Sequence, residues 1–297
     1  MHTVFQAIRL IRAHQWSKNL LIFVPLIVSP QLENIVLWND LVIAFFAFNF
    51  CASAGYIIND IVDLPQDQMH PIKKSRPLAS GFFSINIATC VAILLLSISI
   101  YLGILVGKVF CIALTLYFVI AQAYTLKLKQ VHIIDCIILS FLYMMRIIAG
   151  ALAVSLDLSV WILSFSLFFF FSFALLKRYS ELSHHASGSN PLFGRGYTTK
   201  DLPLILNMGL PSALISILII GLYITDEKIY SFYSEPKLLF LFLPILLIWV
   251  CSIWSRAIRG IEINDPISFA LSDKTSILIF LASGIVFMLA RYVVVTI

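Results

Sequence analysis

The clearest chemical feature of the sequence is a polar segment at residues 59–81, NDIVDLPQDQMHPIKKSRPLASG, in which three carboxylates precede three basic residues. Asp60, Asp63 and Asp67 are spaced i, i+3 and i+7, which stacks side chains on one face of a helix. Pro65 disfavours helix at the residue before it. We therefore expect Asp60 and Asp63 to share a helix end, with Asp67 on a following turn or second short helix. Such hard-oxygen clusters suit Mg²⁺, which proteins usually hold by one or two carboxylates plus substrate phosphates.

The basic residues that follow would complement such a site. Lys73, Lys74 and Arg76 can donate hydrogen bonds to phosphate oxygens. A solvated polar loop is the alternative interpretation. We favour a binding site because the acidic and then basic order begins directly at the end of an apolar stretch.

The elements that must position these residues are membrane spans. Apolar residues make up 61% of the 297-residue chain and charged residues 12%, against about 25% charged residues in soluble domains. This composition excludes a large soluble domain and a disordered chain, and the basic residues are too few for nucleic-acid binding. Nine apolar stretches are long enough to cross about 30 Å of hydrocarbon. They lie at about 20–36, 41–58, 85–106, 109–123, 133–156, 158–176, 204–224, 238–253 and 276–294. We predict an all-α, polytopic protein forming one domain over residues 1–297.

The distribution of basic residues predicts the orientation. With nine spans, 15 of the 20 Lys and Arg residues fall on the side that holds the N-terminus. The positive-inside rule places that side, and with it the carboxylate segment, in the cytoplasm, and the C-terminus outside. Residues 1–18 mix apolar and basic positions as an interfacial amphipathic helix would. A basic flank to the first span is an equally good interpretation.

One charged residue lies in the middle of an apolar stretch. A charge there costs about 2.5–3.5 kcal/mol on insertion scales, so Arg146 should face a polar cavity or a partner. It could reach a phosphate, or it could form a salt bridge between helices. Lys18, Lys129 and Lys177 lie at the cytoplasmic ends of different spans and could converge on the carboxylate segment, although each could also be an ordinary topogenic charge.

The sequence resembles a known family. The pattern NDxxDxxxD at residues 59–67, followed by RPLASG at 76–81, is similar to the first motif of the UbiA superfamily of intramembrane prenyltransferases. This resemblance covers most of the chain. It implies a nine-helix UbiA-like bundle, Mg²⁺ held by Asp60, Asp63 and Asp67, and transfer of the group that departs from a diphosphate. Asn59 would help to orient the ligands and completes the predicted catalytic set.

Finer features resemble the decaprenyl-phosphate phosphoribosyltransferase branch. These are RAHQWSKNLLIFVPL at 12–26, HPIKKSRPLASG at 70–81, YTLKLKQVHIID at 124–135, MRIIAGA at 145–151 and LKRYSEL at 176–182. The resemblance implies that phosphoribosyl pyrophosphate is the donor and a polyprenyl phosphate the acceptor. The chain departs from ordinary prenyltransferases, which tend to have DxxxD where this chain has Lys177, Arg178 and Glu181. The predicted substrate-binding residues are Lys18, Lys73, Arg76, Tyr124, Lys129, Arg146, Lys177, Arg178 and Glu181.

Two other functions are compatible with the sequence. A prenyltransferase moving an isoprenoid from its diphosphate to an aromatic or glycerol acceptor would use the aspartates in the same way. A transporter would instead carry charges through its spans and show broken helices in paired halves, and neither feature is evident here. We expect the protein in the plasma membrane, the inner membrane where there are two, with its site facing the cytoplasm. A homo-oligomer is compatible with the sequence.

Overall fold

A computed structural model describes residues 2–69, 73–184, 196–263, 269–270 and 272–293. In these residues all regular structure is helical. The helices are α1 (His2–Leu10), α2 (Val24–Ile27), α3 (Ile35–Val62), α4 (Leu64–Met69), α5 (Ile85–Val106), α6 (Lys108–Leu126), α7 (Ile134–Ala153), α8 (Val160–Ser183), α9 (Leu202–Ile224), α10 (Phe242–Ile258) and α11 (Lys274–Tyr292). Short 3₁₀ segments join several of them. His70–Ile72 of the carboxylate segment and the end of the ninth expected span at Val294 lie outside the described residues.

The chain divides into two compact units. The first comprises Met1–Leu128 and Met145–Asp157, and the second comprises Lys129–Met144 and Leu158–Ile297. The division falls within α7. The expectation of a single domain stays a prediction.

In the first unit, α3 packs against α5 and α6 through a face of small residues. Ala44, Ala47, Cys51 and Ala54 are all buried, and Ser99 on α5 donates a hydrogen bond of 2.7 Å to the Ala47 carbonyl. Small side chains let apolar helices approach closely where lipid supplies no hydrophobic drive. This contact fixes the axis of α3, and with it the position of the carboxylates at its end.

The first expected span, residues 20–36, is not one long helix. The chain forms a 3₁₀ helix at Ala13–Phe23 and then the single turn α2. The two buried residues of the 3₁₀ helix, Asn19 and Ile22, are three positions apart, which is the repeat of that helix type. Such a spacing cannot be recognised within a long run of apolar residues, so the sequence predicted an ordinary membrane span here.

The 3₁₀ segment runs antiparallel to α3. Arg12 contacts Asp60, Trp16 donates to Ser53 Oγ at 3.1 Å, and the ring of Phe23 lies 5.5 Å from that of Phe45. From Asp60 to Phe45 α3 rises roughly 22 Å, and the 3₁₀ segment from Arg12 to Phe23 rises about the same. These pairings hold the segment in register along α3.

Eight helices of the described residues are long and apolar enough to cross a membrane. They correspond to the second to ninth expected spans. The 3₁₀ segment and α2 together cover roughly 28 Å by their rise per residue, but they are not a helix of that class. The count of nine spans and the cytoplasmic N-terminus therefore stay predictions, whereas the all-helical, multi-pass membrane architecture is confirmed.

In the second unit, α8 packs closely against α9 and α10. A Cβ on Gly209 would lie 2.4 Å from the Trp254 ring, so only glycine admits this indole between the helices. The Trp254 Nε1 donates to Ser172 Oγ on α8 at 3.2 Å. This packing fixes the C-terminal end of α8, where Lys177, Arg178 and Glu181 lie.

Candidate functional site

The carboxylates at 60–67 lie around a break between two helices, as predicted. Helix α3 ends at Val62, and Asp63 is its C-cap with its backbone N–H bonded to the Asn59 carbonyl at 2.9 Å. Pro65 lies in the first turn of α4, and Asp67 follows on that helix. Asp60 and Asp67 are both almost fully buried, whereas Asp63 is half-buried.

Asp60 and Asp67 converge on one cationic group. Arg76 Nη1 lies 3.0 Å from Asp60 Oδ1 and 2.5 Å from Asp67 Oδ2. A second guanidinium, that of Arg12, also donates to Asp60 Oδ1. We call these four residues the carboxylate cluster. Two buried carboxylates thus point at a single position that already holds positive charge.

The cluster fits a divalent metal through two of the three predicted ligands. Within the described ranges no group of three or more His, Cys, Asp or Glu side chains is placed to hold a metal ion. The structure therefore does not bring Asp63 together with Asp60 and Asp67 as a three-carboxylate set. Two convergent carboxylates are nevertheless the protein share that Mg²⁺ commonly uses when substrate phosphates complete its shell.

Sequence reasoning missed Arg12 as a member of the cluster. It lies two residues after the end of α1, directly before the 3₁₀ helix, and adopts a left-handed conformation with φ 51° and ψ 48°. Residues other than glycine in this region are held there by their surroundings and often mark functional positions. Its guanidinium also lies 5.2 Å from the centre of the Tyr56 ring. A basic residue just after a short amphipathic helix was the available signal.

A second polar group lies deeper in the first unit, around Arg146. Its Nε donates to Asn19 Oδ1 at 2.7 Å and its Nη2 to the Tyr117 hydroxyl at 2.8 Å. Asn19 in turn donates to Asn49 Oδ1 at 2.6 Å, while Asn49 Nδ2 is buried without a hydrogen-bond partner. The expectation that Arg146 faces partners rather than lipid is confirmed. Sequence reasoning missed the two asparagines, although an asparagine within an apolar span was a usable signal.

The second unit contains a different arginine–carboxylate group. Arg178 is fully buried, donates to Asp135 Oδ2 at 2.7 Å and also contacts Glu181. The Tyr197 hydroxyl donates to the other oxygen of Asp135 and accepts a hydrogen bond of 2.9 Å from the Ile133 backbone N–H. Burial, together with the neighbouring Cys136 and Asp135, raises the pKa of Tyr197 above its ordinary value. The tyrosine therefore stays a donor at neutral pH.

The remaining predicted site residues lie at the expected helix ends. In the first unit, Lys18 is in the 3₁₀ segment, Lys73 opens the turn before Arg76, and Tyr124 is in the last turn of α6. In the second unit, Lys129 lies in a 3₁₀ turn before α7 and Lys177 is 4.0 Å from Glu181.

Comparison with known proteins shows the family to which the chain belongs. The sequence pattern of the UbiA prenyltransferase family matches residues 23–269. The chain therefore belongs to the UbiA prenyltransferase family, a family of transferases. A UbiA homologue from Archaeoglobus fulgidus, solved bound to GPP and Mg²⁺, has a TM-score of 0.71 at 19% identity, covering 95% of this chain and 99% of that one. This likeness shows the fold.

Three relatives are similar to this chain over most of its length. The uncharacterised protein y4nM of Sinorhizobium fredii is 36% identical over 93% of this chain, which spans only about half (54%) of that protein. Nodulation protein NoeC of Azorhizobium caulinodans is 28% identical over 94% of this chain and 91% of its own length. The decaprenyl-phosphate phosphoribosyltransferase of Corynebacterium glutamicum is 29% identical over 96% of this chain and 86% of its own.

Proposed function

We propose that this chain transfers phosphoribosyl from phosphoribosyl pyrophosphate to a polyprenyl phosphate, at the cytoplasmic face of the plasma membrane, with release of diphosphate. The observation that carries the proposal is the convergence of Asp60 and Asp67 on one cationic position at the end of a long apolar helix. Such a position suits the metal-bound diphosphate of a donor, and the apolar helices suit a lipid acceptor.

In this proposal Asp60 and Asp67 would hold Mg²⁺. Asp63 and Asn59 lie at the same end of α3, and Asn59 would help to orient the ligands. The metal, when bound, neutralises negative charge on the departing diphosphate. Arg76 is already at the two carboxylates and has further guanidinium donors for a phosphate oxygen. Lys73, exposed on the following turn, would bind the diphosphate from the solvent side.

The reaction itself needs little proton transfer. The bond between ribose C1 and the diphosphate oxygen breaks, and its electron pair leaves with the diphosphate. An oxygen of the lipid phosphate, already anionic, forms the new bond to C1. No general base is required, so catalysis rests on positioning and on electrostatic stabilisation of the departing group.

The second unit supports a phosphoribosyl rather than a prenyl donor. Where many prenyltransferases carry a second DxxxD, this chain has Arg178 in ion pairs with Asp135 and Glu181. Lys129, Lys177 and Arg178 outnumber the two carboxylates of this group, and a net positive charge suits the binding of a phosphate. We propose that Arg178 keeps Glu181 and Asp135 in position and does not contact the substrate directly, because a substrate would reach it only after those ion pairs open.

Arg146 and Tyr124 complete the proposed set of substrate-binding residues in the first unit. Arg146 is hydrogen-bonded through Asn19 to Asn49 on α3, the helix whose C-terminal end carries Asp60. The named relative from Corynebacterium glutamicum adds support for the phosphoribosyl donor. The family description and the GPP-bound homologue instead favour a prenyl diphosphate donor, so the experiment must separate the two.

The test supplies both donors to the same purified protein. The full chain in detergent or nanodiscs receives Mg²⁺, polyprenyl phosphate and labelled phosphoribosyl pyrophosphate, and in parallel a labelled prenyl diphosphate with aromatic and glycerol acceptors. We expect label from the first donor in the lipid fraction, and none in an Asp67→Asn variant. Transfer from the prenyl diphosphate alone would refute the phosphoribosyl assignment and leave the prenyltransferase function.

A further inference from the structure

The carboxylate cluster is electrically balanced by its own arginines. Asp60 and Asp67 supply two negative charges in nearly full burial, and Arg12 and Arg76 supply two positive charges at contact distance. A divalent metal added to these four groups would leave a local excess of positive charge in a poorly solvated place. Such an excess is costly unless an anion enters with the metal or an arginine leaves.

The two arginines differ in how they are held. Arg76 bridges both carboxylates from the turn that follows α4. Among the carboxylates of the described residues, Arg12 contacts Asp60 alone, from outside the segment at 59–81, and its backbone is in the left-handed region with φ 51°. Both arginine side chains keep some access to water, 18% for Arg12 and 27% for Arg76, so the difference lies in the contacts: Arg12 has one carboxylate to release and Arg76 has two. Arg12 is therefore the cation positioned to yield when Asp60 takes another partner.

We propose that Arg12 is a counter-ion that couples metal binding to binding of the diphosphate, and this inference rests on the proposed metal site. With Arg12 on Asp60, the metal alone binds weakly because it competes with a guanidinium for the same oxygen. A diphosphate brings the negative charge that balances the metal and gives the arginines a new acceptor. Metal and diphosphate therefore bind together more tightly than either binds alone.

The chain offers a matched control for this role. Arg9 lies in α1, close to Arg12 in the sequence, and carries the same charge, but it donates to the Ser75 backbone carbonyl at 2.9 Å rather than to a carboxylate. Replacing Arg9 by Gln changes the net charge by the same amount as replacing Arg12. It leaves the electrostatic balance at Asp60 in place.

The experiment measures metal binding, not turnover. Mn²⁺ is titrated into the full-length protein in nanodiscs, with electron paramagnetic resonance of free Mn²⁺ as the readout, with and without inorganic pyrophosphate, and the Mn²⁺ that pyrophosphate binds with empty nanodiscs is subtracted. Arg12→Gln should bind Mn²⁺ alone about tenfold more tightly than wild type, and its gain from pyrophosphate should shrink by the same factor, within the usual range of coupling. Arg9→Gln and Arg12→Lys should behave as wild type.

Wild type alone provides a second measurement that needs no variant to fold. Pyrophosphate should tighten Mn²⁺ binding by the factor by which Mn²⁺ tightens pyrophosphate binding, because coupling is reciprocal. Equal Mn²⁺ affinity in Arg12→Gln and Arg9→Gln, or no effect of pyrophosphate in wild type, would overturn the counter-ion role.

These readouts use only pyrophosphate, so they are independent of whether the donor carries ribose or isoprenoid. Absence of any saturable Mn²⁺ site would overturn this inference together with the metal assignment, whereas failure of label transfer would affect only the proposed donor.

Discussion

Replacing Asp60 by Asn is the sharpest perturbation of the carboxylate cluster. The substitution keeps the size of the side chain but removes the charge that two guanidinium groups share at Oδ1. Asparagine keeps one oxygen acceptor, but Asp60 is 3% exposed, so water cannot compensate for the lost negative charge. The substitution therefore weakens the contacts of both arginines with this side chain, and the contact of any metal bound there.

The structure sets the expected magnitude. Removing one partner of a fully buried ion pair costs about 3–5 kcal/mol. The arginine side chains here are 18% and 27% exposed, so solvent recovers part of this and we expect a loss of about 1–3 kcal/mol in the free energy of unfolding. Transfer should fall about a thousandfold, because losing about 4 kcal/mol of metal-assisted stabilisation costs a factor of ten per 1.36 kcal/mol.

The assay combines a single-turnover transfer measurement with a thermal melt in the same detergent. Asp157→Asn is the matched control, since Asp157 is an exposed carboxylate of the same unit, and it should retain wild-type transfer and melting. A folded Asp60→Asn protein with turnover close to wild type would refute the assignment of Asp60 to the metal and diphosphate.

Two further substitutions test the packing around the polar groups. Gly150→Ala would place a Cβ 2.0 Å from the Ile22 carbonyl oxygen, so the 3₁₀ segment must shift. We expect a loss of about 1–3 kcal/mol in thermal unfolding. Gly284→Ala, where a Cβ meets no atom within 4 Å, should not destabilise, and equal melting of the two variants would contradict this packing. Arg178→Met leaves the fully buried Asp135 without its ion pair and should cost about 3–5 kcal/mol. Adding Asp135→Asn should recover most of that loss, and a strictly additive double variant would argue against the pairing.

The local structure of the carboxylate segment could be predicted from sequence because its determinants are local. Pro65 dictates where α3 can end, so the placement of Asp63 at the cap and Asp67 on a second short helix followed from backbone chemistry. Likewise, the cost of a charge in hydrocarbon required partners for Arg146, and the structure supplies Asn19 and Tyr117. The eight long apolar helices followed from length and hydropathy alone.

What sequence reasoning missed depends on contacts between distant residues. Arg12 reaches Asp60 only because the 3₁₀ segment runs antiparallel to α3, and nothing in the spacing of residues 12 and 60 reveals that register. The 3₁₀ conformation itself reflects pairings such as that of Trp16 with Ser53, since runs of this geometry longer than three or four residues are uncommon without outside support. An apolar stretch of adequate length is compatible with either helix type.

The two arginine–carboxylate groups illustrate why burial, rather than residue type, separates an exchangeable site from a structural one. Arg178 is 0% exposed and its partner Asp135 is also 0% exposed, so opening that pair would strand two charges without water. The arginines on Asp60 keep partial access to solvent and can release their carboxylates at far lower cost. A ligand that competes for carboxylate oxygens will therefore act at the first group and leave the second intact. Residue composition alone makes these groups look alike, and the difference in solvent access of their arginines is the reason why we propose the chemistry at Asp60 and Asp67.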